Sequence, residues 1–306
     1  MGETLLKAGS FILIIISGYL LKKKGLFNYN DNRTIMKLIM NVTLPGAVIA
    51  SFSSFQRDNS LIFVTILGLG MNILLMVIGY LIAFKKDNAE KAFNVINYSG
   101  YNIGTFAMPY LQSFLGPTAI IVTCLFDAGN ALMCTGATYA VASNIVGGKN
   151  SGGIRTFFKK IFSSVPFDVY TVMLIFYFAE IRMPSDVYKI ASVFGSGNAF
   201  LAMFMIGGAF ELSFNKNLLK KVGTTIVVRY LCAAMASYMC YTYLPYSITV
   251  RQALAIIMFS PITAMSVINT VKCNGDHERA GITNSISVLI SLCIITILIT
   301  YWGLGN

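Results

Sequence analysis

The sequence predicts an all-α polytopic membrane protein: ten transmembrane helices in two inverted five-helix repeats, with the fourth and ninth helices broken and crossing. Three observations predict it. The first is composition. Of 306 residues, 56% are hydrophobic and only 11% are charged, with a mean hydropathy of +0.70. A soluble domain carries about 25% charged residues, and a chain this apolar has no way to hide its surface from water. The second is the side on which the basic residues fall. The third is a matched pair of interrupted apolar runs.

Hydrocarbon offers the backbone no hydrogen-bond partner, so a spanning segment is a helix or a strand of a closed barrel. Continuous rather than alternating apolar runs select helices of about 20 residues. The runs fall at residues 5–21, 34–55, 60–84, 90–115, 117–141, 161–181, 188–212, 222–244, 250–273 and 280–303. The first ends in Lys22, Lys23 and Lys24. A cleavable signal has its charges before the apolar stretch, so this run reads as a span with residue 1 outside. Asn41, Pro45 and Gly46 bend the second span. The fourth, Asn94 to Pro109, is dense in small and polar residues. The fifth carries Asp127 and Asn130. The sixth is the shortest, Phe167 to Ile181 with Asp168 near its start, and that acid reads as a solvated helix end, as does Glu211. In the seventh, Gly195, Gly197, Gly207 and Gly208 read as close-packing positions. Arg229 in the eighth reads as a snorkelling arginine. The ninth holds Ser260, Pro261 and Thr263. His277, before the tenth, reads as a surface residue.

The connections order these spans. Of 23 basic residues, seventeen lie in the connections after the odd-numbered spans and five on the other side; Arg229 is the remaining one. By the positive-inside rule the odd connections are cytoplasmic and both termini are outside. The glycine-rich stretch Gly147 to Gly153 divides five spans from five. Five is odd, so the halves insert in opposite directions, the geometry of an inverted repeat. The organisation is therefore residues 1–146 as the first repeat, 147–160 as a cytoplasmic linker and 161–306 as the second repeat.

Proline removes a backbone donor and clashes with the preceding turn. Two prolines at matching positions, Pro109 and Pro261, therefore mark broken helices, which membranes tolerate only where protein or a wet cavity satisfies the freed groups. Each second half-helix is expected to begin near its proline and to aim free amides and partial positive charge at the crossing. Such a site favours an anion. The substrate-binding candidates are Asn102, Gly104, Pro109, Ser260, Pro261, Thr263 and Asn41. Asp127, an acid at membrane depth, and Asn130 are the candidates for ion or proton coupling.

Several motifs resemble the auxin efflux carrier family in its bacterial branch: Gly18 to Leu26 at the end of the first span, Asn41-Val42-Thr43-Leu44-Pro45 in the second, Asn102 with Gly104 and Pro109 in the fourth, Phe126 to Asn130 in the fifth, and Ile206 to Ala209 in the seventh. The resemblance extends over essentially the whole chain. It implies the fold shared with bile-acid sodium symporters, with helices 1, 2, 6 and 7 as scaffold and helices 3–5 and 8–10 as a mobile core moving as an elevator. It further implies a small organic anion as substrate, either a dicarboxylate such as malate or malonate or an auxin-like aromatic monocarboxylate. A bacterial inner-membrane location and homodimerisation are expectations of the same kind. The acidic sodium-ligand pattern of the bile-acid branch is not recognisable in the ninth span.

Other classes fare worse. The +11 net charge sits in short loops rather than on one face, which argues against nucleic acid. The six cysteines form no CxxC pair and read as packing residues; neither metal nor cofactor is expected. No paired acids, His cluster or Gly-x-Ser-x-Gly lies at depth, so an intramembrane enzyme ranks last. A ligand sensor that does not transport is the remaining alternative.

Overall fold

The computed structural model of the chain describes residues 2–53, 57–147, 159, 161–210 and 216–305. Among them every regular element is helical. The first half comprises α1 (Gly2–Lys23), α2 (Tyr29–Leu38), α3 (Leu44–Ser51), α4 (Ile62–Ile82), α5 (Asn88–Tyr98), α6 (Met108–Phe114), α7 (Pro117–Leu132) and α8 (Thr138–Ile145). The second comprises α9 (Val165–Phe178), α10 (Ser185–Gly195), α11 (Asn198–Ala209), α12 (Lys216–Tyr243), α13 (Ile248–Met258), α14 (Met265–Lys272) and α15 (His277–Tyr301).

Among the described residues, seven stretches are long and apolar enough to cross a bilayer: Thr4–Lys23, Asn30–Ser51, Asn59–Ile82, Pro117–Ile145, Ser185–Ala209, Lys221–Tyr243 and His277–Tyr301. They correspond to seven of the expected spans. The other three are the short sixth, which is the 14-residue α9, and the interrupted fourth and ninth. Three of the helical stretches contain a π turn: Ile39–Thr43 between α2 and α3, Ile103–Ala107 before α6, and Met133–Ala137 between α7 and α8. The second helical stretch begins before its apolar run because Asn28 caps it. The Asn28 side chain accepts from the Asn30 and Asp31 amides while Asp31 accepts from the Asn28 amide, a capping box. Glu211 and residues 148–153 lie outside the described residues.

The helices pack in two groups. In one, α1 lies along α11, and α3 packs against α9 and α10. Small residues bring these backbones together: any side chain on Gly207 would overlap the Ile15 carbonyl, one on Gly18 the Phe204 carbonyl, and Gly46 faces Gly195 across α3 and α10. In the other group α4 packs against α5 and α7, with Gly68 and Gly129 at the α4–α7 contact, and α12 packs against α13 and α15. Contacts of α13 with α7 and of α14 with α5 join the two halves within this second group. Leu6, Leu13, Ile66, Val193, Leu231, Met235 and Ile297 are exposed on the outside. An apolar exterior of this extent suits lipid rather than water, and the chain is a multi-pass membrane protein.

Candidate functional site at the helix crossing

α5 ends at Tyr98 because the next residues leave the helical region. Ser99 is extended, and Gly100 adopts a φ of +84° that a residue with a side chain rarely takes. Asn102, with φ −83° and ψ 80°, then starts the second half-helix at Ile103. In the other half, α13 stops at Met258, residues 259–264 are non-helical, and α14 starts at Met265. The two interruptions cross. Tyr101 and Ile262 form an antiparallel bridge, and the Asn102 amide donates to the Pro261 carbonyl at 2.9 Å.

Peptide groups freed by these breaks are buried and need partners, and the neighbouring helices supply them in a matching way. On the first break the Asn130 carboxamide pairs with both sides of Tyr101, accepting from its amide at 3.0 Å and donating to its carbonyl at 3.0 Å. Asn72 of α4 accepts from the Gly100 amide at 2.7 Å and donates to the Asn130 carboxamide oxygen at 3.1 Å. On the second break Ser287 accepts from the Ile262 amide at 3.1 Å and Asn284 donates to the Ile262 carbonyl at 2.7 Å. Thus α7 holds the centre of one break and α15 the centre of the other.

The carbonyls on the far side of the crossing converge on Arg229. Its guanidinium donates to the Tyr98 carbonyl and, at 2.7 Å, to the Gly100 carbonyl, and it reaches the Ser260 carbonyl at 3.5 Å. It also lies over the Tyr101 ring, 4.8 Å from the centroid. Arg229 is 2% exposed, so the snorkelling expected from the sequence is wrong. Broken backbone provides acceptors at depth, and a forked donor satisfies several at once.

The near side of the crossing opens into a cavity of about 240 Å³. Both second half-helices begin at it: Asn102, Ile103, Gly104 and Thr105 from one, Thr263, Ala264 and Met265 from the other. First-turn amides of a helix have no intrahelical acceptor. The Asn102 side chain is positioned by Thr105, whose hydroxyl donates to Oδ1 at 2.5 Å. Asp127 and Asn130 line the same cavity, and Asn130 Nδ2 donates to Asp127 Oδ1 at 2.8 Å. Asn130 is therefore a bridge from the carboxylate to the crossing. Tyr170 lines the same cavity, with its hydroxyl toward Asp127. The remaining lining is largely apolar, with Met36, Met40, Phe167 and Ile268 prominent. All three π turns contribute residues: Met40, Ile103 to Thr105, and Cys134 with Thr135. Such wide turns recur at functional sites.

Of the candidates read from the sequence, Asn102, Gly104, Thr263, Asp127 and Asn130 line this cavity. Pro261 forms the crossing itself. Ser260 is buried beside Arg229, its hydroxyl unpartnered. Pro109 does not mark the break: it lies in the first turn of α6, after the π turn that already began the half-helix at Ile103. Asn41 is exposed, and its amide donates to the Lys37 carbonyl at 2.7 Å. Asn72, Arg229, Asn284 and Ser287 belong to the crossing without being candidates from the sequence. The first three are amide or charged side chains at span depth, and that feature alone marks them.

Residues 10–149 match the family described as membrane transport protein. An uncharacterized transporter of Methanothermobacter thermautotrophicus (strain Delta H) is 23% identical over 146 residues, which cover 46% of this chain and 48% of that protein. The chain thus spans about half the length of the curated relative it matches. Asn102, Gly104, Asp127, Asn130 and Asn72 all fall inside the matched half. Residues 10–149 are thus similar to the membrane transport protein family, the same direction in which the auxin efflux carrier motifs of the sequence point.

Proposed function

We propose that the protein is a secondary active transporter of a small organic anion, working by elevator-type alternating access. The observation that carries the reading is the start of two half-helices, one from each half of the chain, at a single cavity. Two helix N-termini contribute roughly half a positive charge each, and their free amides suit a carboxylate. Asn102 and Thr263 add side-chain hydrogen bonds, and Asp127 is the proton-coupling group. The matching attachment of one break to α7 and the other to α15 supports the inverted repeat. The two packing groups support a scaffold of helices 1, 2, 6 and 7 and a mobile core of the rest. The cavity is bordered by Met36 and by Ile161 to Phe167, next to the basic connections. That placement suits an inward-facing state.

The lining favours one substrate class. Among the described residues, no basic side chain lines the cavity, and nine of its lining residues are methionine, isoleucine or aromatic. A second carboxylate would meet no counter-charge among the described residues, so a monocarboxylate with an apolar or aromatic body fits that lining better than a dicarboxylate.

Proteoliposome uptake and counterflow test the proposal. Asn102→Ala and Thr263→Ala should each lower anion uptake about tenfold, the scale of one lost hydrogen bond to a charged group. Saturable counterflow of labelled monocarboxylate distinguishes carrier from sensor. Normal uptake in both variants would refute the site.

A further inference from the structure

A second polar cavity, of about 280 Å³, lies away from the crossing, at the helix ends that border the basic loops. Four elements meet there. Lys86 follows α4, Glu90 and Tyr98 lie on α5, Lys221 and Thr225 on α12, and Arg279 on α15. Two of these elements come from each half of the chain.

The charges do not cancel. Arg279 is 6% exposed, stacks 3.9 Å from the Phe93 ring centroid, and pairs with Glu90 at 2.5 Å. It also donates to the Lys221 carbonyl at 3.3 Å. The carboxylate and the guanidinium neutralise each other. Lys86 and Lys221 are left with no ion pair among the described residues. Two buried donors also lack partners in this region: the hydroxyl of Tyr98, whose residue is 0% exposed, and Arg279 Nε. Unpaired buried donors are costly. The cavity therefore offers ammonium, phenol, guanidinium and threonine donors, while its one carboxylate is already engaged.

We propose that this cavity binds a phosphate group, supplied either by the headgroup of an anionic phospholipid or by free phosphate. Phosphate presents several charged oxygens in three dimensions, which suits donors arriving from four helices better than a planar carboxylate does. Basic cavities between membrane helices are suited to such headgroups. Because its walls come from both halves of the chain, an occupant would tie them together and stabilise the fold.

Thermal unfolding of the purified chain in phosphatidylcholine nanodiscs tests this without any transport assay. Either of two results is expected. Inorganic phosphate raises the unfolding temperature beyond sodium chloride of equal ionic strength, which assigns a soluble source. Alternatively, phosphatidylglycerol in the nanodisc raises it without added phosphate, which assigns the headgroup. The double variant Lys86→Gln/Lys221→Gln should weaken the effect about tenfold or more. Tyr98→Phe keeps the ring and removes an unpartnered hydroxyl. It should fold at least as well as the parent when empty and still lose much of the ligand shift, which keeps the test decisive if the lysine variant fails to fold. No shift with either probe, or an undiminished shift in Tyr98→Phe, would overturn the proposal.

Discussion

Replacing Arg229 tests the architecture of the crossing most directly. Arg229→Met keeps the apolar stem and removes the forked donor. It leaves the Tyr98 and Gly100 carbonyls, now accepting from the guanidinium, without partners in a buried site. Each unpaired buried carbonyl costs about 1–3 kcal/mol, so the variant loses about 2–6 kcal/mol before relaxation. At about 2 °C per kcal/mol for a chain of this size, the unfolding midpoint falls by about 4–12 °C. Arg229→Lys keeps the charge near the Tyr101 ring but cannot fork to both carbonyls, and should recover less than half of the loss. Both midpoints are measured in detergent by thermal unfolding, with anion uptake in liposomes alongside. A snorkelling arginine would accept lysine without penalty. Wild-type midpoints and uptake for both variants would refute the capping role of Arg229.

Other substitutions probe the surrounding parts. Asn130→Ala removes the partner of both the Tyr101 amide and carbonyl and should cost about 2–5 kcal/mol, read as a lower unfolding midpoint together with lost uptake. Gly207→Val places a side chain against the Ile15 carbonyl and should force α1 and α11 apart at about 1–3 kcal/mol, seen as reduced thermal stability with the crossing residues untouched. Asn41→Ala removes only an exposed bond within its own helix and should leave stability within about 0.5 kcal/mol and uptake unchanged.

The crossing is legible in the sequence because lipid makes broken backbone rare, so Pro109 and Pro261, in corresponding spans of the two halves, point to interruptions in those spans. The misreadings follow from what a linear sequence omits. Pro109 looks like the break, yet it lies within the half-helix, just after the wide turn Ile103–Ala107, and the actual interruption rests on Gly100 at φ +84° and the extended Ser99. Arg229 sits at a depth that sequence conveys, but which face of α12 it occupies depends on helix packing, and that decides between solvent and the crossing. Asn72 gives a weak signal for a different reason. A lone asparagine in a membrane helix is readily satisfied by its own backbone, and Asn72 does donate to the Gly68 carbonyl at 2.7 Å. Its second partner, the Gly100 amide, is 28 residues away. Asp127 stands out as an acid inside an apolar run, and Asn102 as an amide among the small and polar residues of the fourth span.

In the proposed coupling role, the charge state of Asp127 sets the electrostatic balance of the cavity it lines. When ionised it cancels the partial charges of the two helix N-termini, each about +0.5. When protonated it leaves the cavity positive. A sphere of 240 Å³ is about 8 Å across. Repulsion between Asp127 and a bound carboxylate at that separation is about 2 kcal/mol at an effective dielectric of about 20, or roughly thirtyfold in affinity. The sign is fixed: the anion binds well while Asp127 carries its proton, and affinity falls as pH rises through its titration. Between about pH 5 and 8 a carboxylic acid substrate is already ionised, so the substrate's own titration does not mimic the effect. In Asp127→Asn the side-chain oxygen can still accept from Asn130 Nδ2, the repulsion is gone, and affinity should be high and flat with pH. The variant should also catalyse exchange of anion for anion while losing uptake driven by a pH gradient. An Asp127→Asn protein with the pH profile and gradient-driven uptake of the parent would place the coupling proton elsewhere.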